Sequence, residues 1–391
     1  KISVPLISLV FLLNMSSAGM AESTVSAEVQ AIFNSLLFLI CGFLVMFMAA
    51  GFAMLESGMV TSKSVSVICA KNIGLYSIAG IMFWLFGYNL AYGIPEGGYI
   101  GTFSPWSDAG VIYPIVMGWQ WGGGWLAEIG FSDFAGSTLV HSTGGAAALA
   151  GIMLLGARTG RFDNKGQPKA LQPFAASSIP LVTVGVFILW LGWFGFNGGS
   201  QLAIGTFDDA VAVSSIFINT NLAACGGVMA AATITRLMYG KTDVVQMLNG
   251  AIGGLVAVTA EPLAPAPFEA ILIGAVGGLI VVFGTKLLFS FKLDDVVGAI
   301  PAHMFAGIWG TLAVPLTNAD ANFSAQLIGV LSINIFVFVV SYIVWTIMKS
   351  TMGIRLSKEA ETKGTDVTET CLLYTSPSPR DRTRSRMPSS A

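Results

Sequence analysis

The sequence predicts an all-α protein, a polytopic membrane helix bundle with an inverted repeat. Of its 391 residues, 54% are hydrophobic and only 10% are charged. Apolar runs of about 20 residues, the length that spans the hydrocarbon core of a bilayer, recur along the chain. The third observation is a matched aspartate and histidine pair in each half, which indicates internal symmetry.

About nine spans are predicted, and the basic residues fall in alternate connections. Lysine and arginine favour cytoplasmic loops, and here they follow the first, third, fifth, seventh and ninth spans only. The pattern predicts an outside amino terminus and a cytoplasmic carboxyl terminus, as expected for a multi-pass protein of a bacterial inner membrane. The predicted spans are residues 31–55, 73–92, 137–155, 179–196, 214–235, 247–260, 270–290, 299–315 and 326–348.

Both chain ends differ in character from the bundle. Residues 1–21 combine an apolar stretch from Ile2 to Leu13 with the small residues Gly19 and Ala21, a pattern typical of a signal peptide. Residues 351–370 are predicted to be a cytoplasmic tail. From residue 371 the chain reads CLLYTSPSPRDRTRSRMPSSA, which resembles the conceptual translation of a sequencing adapter; a disordered basic tail is the alternative.

No catalytic or cofactor motif is found in the sequence. Cys41, Cys69 and Cys225 lack CxxC spacing and predict neither a disulfide framework nor a thiolate metal site. The glycine-rich GGGW at Gly122 lacks the lysine and the strand, turn and helix context of a phosphate-binding loop. We therefore expect no enzymatic activity, no cofactor and no metal, and nothing predicts nucleic-acid binding.

The only two histidines, His141 and His303, each follow an aspartate by eight residues, Asp133 and Asp295. A titratable group within a membrane span is costly unless it faces a cavity or a partner, so it indicates function. A histidine that merely packs between helices is the alternative, which the duplication disfavours. The basic loops place one histidine helix running inward and the other outward. Such an inverted repeat holds a transporter's site near the bilayer midplane.

Several motifs together resemble the signatures of the ammonium transporter family (Amt/MEP/Rh). The resemblance covers about residues 25–370. It implies a homotrimer in which each subunit has its own pore, and a PII-type regulatory protein as a possible partner at the cytoplasmic tail. The motifs are GFAMLESGMVTSKSVSVICAKN from Gly51, WGGGWLAEIGFSDFAGSTLVHSTGG from Trp121, GWFGFNGGS from Gly192, DDVVGAIPAHMFAGIWG from Asp294 and MGIRLSKEAETKGTDVTE from Met352.

The resemblance implies roles for six side chains. Trp121 and Ser200 would recruit ammonium at the outer side, because an aromatic face attracts a cation and a hydroxyl accepts hydrogen bonds from its N–H groups. Asp133 would support this site, and Phe196 would be an aromatic gate. The twin histidines, His141 and His303, would line the pore.

Moving an intact ammonium ion through an apolar constriction carries the desolvation penalty of a charge, which neutral ammonia largely avoids. Deprotonation would therefore help passage. A neutral imidazole is both donor and acceptor, and its pKa is near physiological pH, so two adjacent rings could relay the proton. A potassium ion has no proton to release, which would give selectivity.

The chain departs from the family between Tyr92 and Trp121. The family has eleven helices, and two of them lie between the positions that correspond to Tyr92 and Trp121. In this chain only VIYPIVM, residues 111–117, remains before the tryptophan motif. Two spans require about 40 residues or more, so an internal deletion near residues 108–112 is predicted within a transporter domain at 22–350. A genuine deletion, an assembly error and a truncated but folding variant all remain open. An outer gate phenylalanine would be lost with these helices.

Other functions are also compatible with two intramembrane histidines. An Rh-type gas channel or an ammonium sensor would use the same site. A bis-histidine haem or metal protein is a further alternative, although such proteins usually have additional ligands.

Overall fold

The computed structural model describes residues 25–101, 112–163, 165–168 and 174–370, and these residues form a bundle of helices. Seven helices are long and apolar enough to cross a membrane. The prediction of an all-α membrane bundle is therefore confirmed. The ten longer helices of the described residues are α1 (Ala27–Met59), α2 (Val65–Tyr92), α3 (Ile112–Gln120), α4 (Ser137–Leu155), α5 (Ile179–Gly199), α6 (Phe207–Tyr239), α7 (Val244–Val258), α8 (Pro267–Ser290), α9 (300–317) and α10 (Phe323–Thr351). α9 consists of a π-helical turn, Ile300–Phe305, continued by the α-helix Ala306–Thr317.

Seven of the predicted spans match the seven long helices, and 137–155 matches α4 with the same bounds. Two predicted spans are weaker. The span at 247–260 corresponds to α7, which has only 15 residues, and the span at 299–315 corresponds to α9, which is not among the seven. The count of nine spans stays a prediction.

Local capping explains where several helices begin. A serine, threonine, aspartate or asparagine side chain that accepts a hydrogen bond from a backbone N–H of the first turn stabilises a helix start, typically by ~1 kcal/mol. Such caps are formed by Ser26 for α1, Ser178 for α5, Thr206 for α6, Asp243 for α7 and Asn322 for α10.

Glycines bring α6, α7 and α8 into backbone contact. A Cβ at Gly227 would lie 2.1 Å from the carbonyl oxygen of Gly250, and one at Gly274 would lie 2.0 Å from that of Ala223. Any side chain at these positions would force the helices apart. Small residues are the usual means of close helix packing in membranes, where the hydrophobic effect does not drive helices together.

The second span, α2, is poorly covered by the rest of the bundle. None of its residues from Val65 to Met82 is buried, and Ile73, Ile78 and Ile81 are each more than half exposed. The next described helix, α3, has nine residues, or about 14 Å at 1.5 Å per residue, which is too short to cross a bilayer.

The segment up to residue 370 docks against one end of the bundle, which we call the tail side. The Asp366 carboxylate accepts a hydrogen bond from the backbone N–H of Val67 at 2.9 Å, 299 residues away in sequence. Ser64 at the start of α2 makes no side-chain cap of its own, so Asp366 caps that helix. On the same side, Glu361 accepts from the N–H of Thr159 at 2.8 Å. The predicted signal peptide and the segment at 371–391 lie outside the described residues.

Candidate functional site

The two histidines meet inside the bundle. Nδ1 of His303 lies 3.3 Å from Nδ1 of His141, and the ring centroids are 5.3 Å apart. His141 is 8% exposed and His303 is half-buried. Two side chains that are 162 residues apart in sequence therefore form one hydrogen-bonded pair.

Each histidine is held by the same local motif. The Asp133 carboxylate accepts four backbone N–H groups, those of Gly136, Ser137, Thr138 and Leu139, at 2.8 to 2.9 Å. In the other half, the Asp295 carboxylate accepts the N–H groups of Gly298, Ala299 and Ile300 at 2.8 to 3.1 Å. Each carboxylate thus satisfies N–H groups that a helix start leaves without an intrahelical partner.

The two motifs also share their backbone conformation. Gly136 and Gly298 lie three residues after the two aspartates, with φ of 107° and 74°, a region that glycine adopts without a Cβ clash. Both histidines then lie in π-helical turns, Ser137–Ser142 and Ile300–Phe305. Such turns are rare and are frequent at functional sites.

The two histidine helices run in opposite directions. At the end of α4, Lys349 and Arg355 donate to the carbonyl oxygens of Leu154 and Leu155, so α4 ends on the tail side. The start of α9 lies on that side as well, because Asp294 binds Arg158, just beyond α4. The inverted repeat predicted from the sequence is therefore present in the described residues.

Glycines let the histidine helices approach each other. A Cβ at Gly145 would lie 2.5 Å from the side chain of Met304, and a Cβ at Gly307 would lie 2.2 Å from the carbonyl oxygen of Ser137. Each of these glycines lies four residues after its histidine, on the same helix face. The glycine at this position therefore makes room for the opposite histidine turn.

Trp193 is a part of the site that the sequence analysis missed. Its ring stacks on that of His141 with centroids 4.9 Å apart, and its Nε1 donates to Thr259 Oγ1 at 2.8 Å. Trp193 is fully buried. Trp193 precedes Phe196 by three residues and so lies on the same helix face, but the sequence does not indicate that this face meets His141.

The other proposed site residues connect to this pair. The Phe196 ring lies 5.3 Å from that of His141, and the hydroxyl of Ser200 donates to the carbonyl oxygen of Phe196 at 2.9 Å. Trp121 Nε1 donates to the carbonyl oxygen of Asp133 at 2.9 Å. Trp121 and Ser200 both lie at the end of the bundle opposite the tail, and neither is fully buried.

The histidine pair keeps hydrogen-bonding capacity. Nε2 of His141 is buried and has no partner among the described residues. A buried polar atom without a partner costs free energy, and a bound small molecule would remove that cost. No group of three or more histidine, cysteine, aspartate or glutamate side chains suited to a metal ion occurs in the part of the chain that the structure describes.

A charge cluster joins the two histidine helices on the tail side. The Asp294 carboxylate binds Arg158 at 2.7 Å and Arg161 at 3.3 Å, and the arginines stack on Phe174 and Phe289. Burial alone would raise the pKa of Asp294, but the hydrogen bonds and charge of Arg158, followed by the charge of Arg161, hold that pKa below its ordinary value.

We expect this cluster to lose its stabilising effect in acid. Because the pKa of Asp294 is lower in the folded protein, the stabilisation is fully present above the ordinary value of about 4 and is lost as the pH falls through the folded value. Asp294→Asn weakens the hydrogen bonds to the charged arginines and should lower stability by roughly 2 kcal/mol at neutral pH. In thermal unfolding followed from pH 7 to pH 3, the difference between the two proteins should shrink. A difference that does not change with pH would contradict this assignment.

The fold and site define a multi-pass membrane protein of the inverted-repeat transporter type. The family profile described as the Ammonium Transporter Family matches residues 36–110 and 106–371, and the chain belongs to this family. It is 36% identical to a Synechocystis protein assigned as an ammonium transporter, covering 92% of this chain and 93% of that one. It is also 36% identical to ammonium transporter Amt2 of Archaeoglobus fulgidus, covering 85% and 86%.

Solved structures agree with this assignment. The structure titled Sensor Amt Protein superimposes with a TM-score of 0.83 at 26% identity, covering 88% of this chain and 100% of that one. Mep2 of Candida albicans superimposes with a TM-score of 0.75 at 22% identity, covering 84% and 87%, which supports the fold.

The alignment with the Archaeoglobus relative is longer than the part of this chain that it includes. The Archaeoglobus alignment runs over 409 positions but includes 85% of the 391 residues, or about 332, so about 77 positions (409 less 332) have no counterpart here. The two matched segments of the family profile meet at residues 106–110.

Proposed function

We propose that this chain is built to conduct ammonium or ammonia across a membrane, with deprotonation at His141 and His303. The observation that carries the proposal is the buried pair of rings, with their Nδ1 atoms 3.3 Å apart, presented by two oppositely directed helices. Membership of the ammonium transporter family supports the choice of substrate.

Ammonium would be captured at the end of the bundle opposite the tail. The Trp121 ring offers an aromatic face, which attracts a cation by ~0.5 to 2 kcal/mol. The Ser200 hydroxyl donates a hydrogen bond to the backbone carbonyl oxygen of Phe196. The lone pairs of the hydroxyl oxygen therefore remain free to accept hydrogen bonds from the ion. The Asp133 carboxylate holds the turn that contains His141, and the backbone carbonyl oxygen of Asp133 accepts a hydrogen bond from the Trp121 ring. Phe196 lies between the capture site and the histidines and acts as a gate.

The pair is arranged for proton relay. A neutral imidazole has one N–H, so a hydrogen bond between the two Nδ1 atoms requires one ring to donate and the other to accept. The two Nε2 atoms are then one bare acceptor and one N–H donor. A proton that enters at the bare Nε2 moves across the Nδ1 pair and leaves from the other Nε2, while ammonia passes in its neutral form. Potassium cannot use this route.

The setting of this activity follows from the sequence. We propose an inner-membrane protein with the tail side in the cytoplasm, a signal peptide at 1–21, a homotrimeric assembly and PII-type regulators as partners of the tail. The basic residues of the tail side, such as Arg158 and Lys349, support this sidedness through the positive-inside rule.

We also propose that two family helices are absent near residues 108–112. The total of about 77 positions in the Archaeoglobus alignment without a counterpart in this chain supports this, because two spans need only ~40 residues. The exposed α2 and the nine-residue α3 fit the loss of packing partners. We propose that the segment at 371–391 is adapter-derived, because its residues resemble the conceptual translation of a sequencing adapter.

Transport by two forms of the protein tests this proposal. A chain with the two helices restored from a relative should take up ammonium into proteoliposomes and exclude potassium. The 391-residue chain should show little selective uptake, because part of the wall around the capture site is missing. Robust, selective uptake by the 391-residue chain would overturn the second expectation, and no uptake by the restored chain would overturn the function.

Ammonium sensing is the second candidate. It is favoured by the likeness to the structure titled Sensor Amt Protein and by the docked segment at 351–370, where Asp366 caps the start of α2 and Glu361 contacts the loop that follows α4. A sensor would change the position of this tail when ammonium binds. Limited proteolysis of the tail with and without ammonium distinguishes the two functions.

A further inference from the structure

A small cavity lies on the tail side of the histidine pair. It has a volume of about 60 Å³ and reaches His303. A cavity needs roughly 10 to 15 Å³ to hold one water molecule, so this cavity has room for a few small molecules. Most of its wall is apolar, including Leu55, Leu189 and Ile252, and two polar side chains, Glu56 and Asn249, also line it.

The Glu56 carboxylate is only partly used by the protein. Its Oε2 accepts hydrogen bonds from Lys71 and, at 2.8 Å, from Asn72, both on α2. No described residue donates to its Oε1. The side chain is 18% exposed. Since a carboxylate has about four acceptor positions, Glu56 keeps capacity for another hydrogen-bond donor.

Asn249 supplies a second oxygen acceptor. Its Nδ2 donates to the carbonyl oxygen of Val297 at 3.0 Å, which fixes the amide, and no described residue donates to its Oδ1. The cavity thus combines a carboxylate oxygen and an amide oxygen with an otherwise apolar wall. This arrangement suits a small cation that carries several N–H donors.

We propose that Glu56 and Asn249 form a second ammonium-binding site, on the tail side of the histidines, whose affinity Lys71 limits by sharing the Glu56 carboxylate. Its use in transport rests on the proposed function. Ammonia that has passed the histidines takes up the proton that the relay releases into the water on this side, becomes ammonium, and is bound by the Glu56 carboxylate. Binding there opposes return of ammonia through the pore.

Protection of Glu56 from chemical modification tests the site without a transport assay. Dicyclohexylcarbodiimide, an apolar reagent for carboxyl groups, is applied to the purified full chain, and labelling is measured by mass spectrometry as the loss of the unmodified peptide that contains Glu56, so that an activated carboxyl group that ammonia converts to an amide also counts as labelled. Ammonium chloride should reduce the labelling of Glu56 about fivefold or more. Choline chloride at the same concentration should not, because choline is bulky and has no N–H donor.

Charge variants sharpen the test. Lys71→Gln should lower the ammonium concentration for half-maximal protection roughly threefold to fivefold, a modest factor because partly exposed ion pairs are weak. Lys349→Gln is the matched control, because Lys349 lies on the same side but donates to Leu154, and it should leave that concentration unchanged.

Two outcomes overturn the proposal: no protection by ammonium, or equal protection by choline. The experiments on the cavity site and on the proposed function can give opposite results, so each idea can be refuted without the other. If His141→Ala/His303→Ala leaves transport unchanged, the relay is wrong, whereas protection of Glu56 in the same variant still reports on the cavity site.

Discussion

Replacing both histidines with alanine in the chain with restored helices is expected to abolish selective ammonium uptake. The double variant removes the hydrogen-bonded pair, so an ammonium ion would have to cross the constriction with its charge, at a desolvation cost of several kcal/mol. One kcal/mol of barrier changes a rate roughly fivefold, so the loss should exceed a hundredfold. Uptake of labelled methylammonium into proteoliposomes, together with potassium flux, measures it.

Assembly provides the control for this variant. The histidine turns are held by Asp133 and Asp295 rather than by the rings themselves, so the double variant should elute at the same size as the parent protein. Trp193→Phe is a useful companion, because it keeps an aromatic face on His141 but removes the bond to Thr259. Unchanged uptake and potassium selectivity in the double variant would refute the relay.

The second large effect is expected for Asp133→Ala. This side chain is fully buried and accepts four backbone N–H groups. Without it, these donors lie in an apolar region with no partner, and we expect a loss of about 2 to 4 kcal/mol in the free energy of unfolding. Thermal unfolding in detergent measures the loss.

Three variants calibrate that loss. Asp133→Asn keeps the oxygen that accepts from Gly136 and Ser137, so it should lose about half as much. Asp295→Ala should cost less than Asp133→Ala, because Asp295 accepts three N–H groups. Asp320→Ala, at an exposed position, should change stability by less than ~0.5 kcal/mol. If Asp133→Ala were no more harmful than Asp320→Ala, the capping role would be wrong.

The sequence predicts the bundle well because apolar runs of bilayer length have few alternatives. The differences between the predicted spans and the helices have physical reasons. α7 is short and largely buried inside the protein, so its pattern lacks the length of a lipid-facing span. α1 and α6 begin several residues before their predicted spans, because Ser26 and Thr206 cap them further out than the apolar run begins.

The site was predictable only in part. The spacing of aspartate and histidine indicates two equivalent turns, and the structure places both rings in contact. The role of Trp193 depends on which face of α5 points to His141, and the cavity at Glu56 depends on how α1, α5, α7 and α9 come together. Such contacts between distant segments leave no periodic signal in one sequence.

The Asp366 cap of α2 has a consequence for the order in which the protein is made. Val67 is synthesised early, whereas the carboxylate that binds its N–H is 299 residues later. Until the last segment leaves the ribosome, the start of α2 lacks this cap, and little of the bundle covers that helix. Residues that are made late therefore complete the second helix, and a nascent chain stopped before residue 366 should remain open to proteases at Lys63.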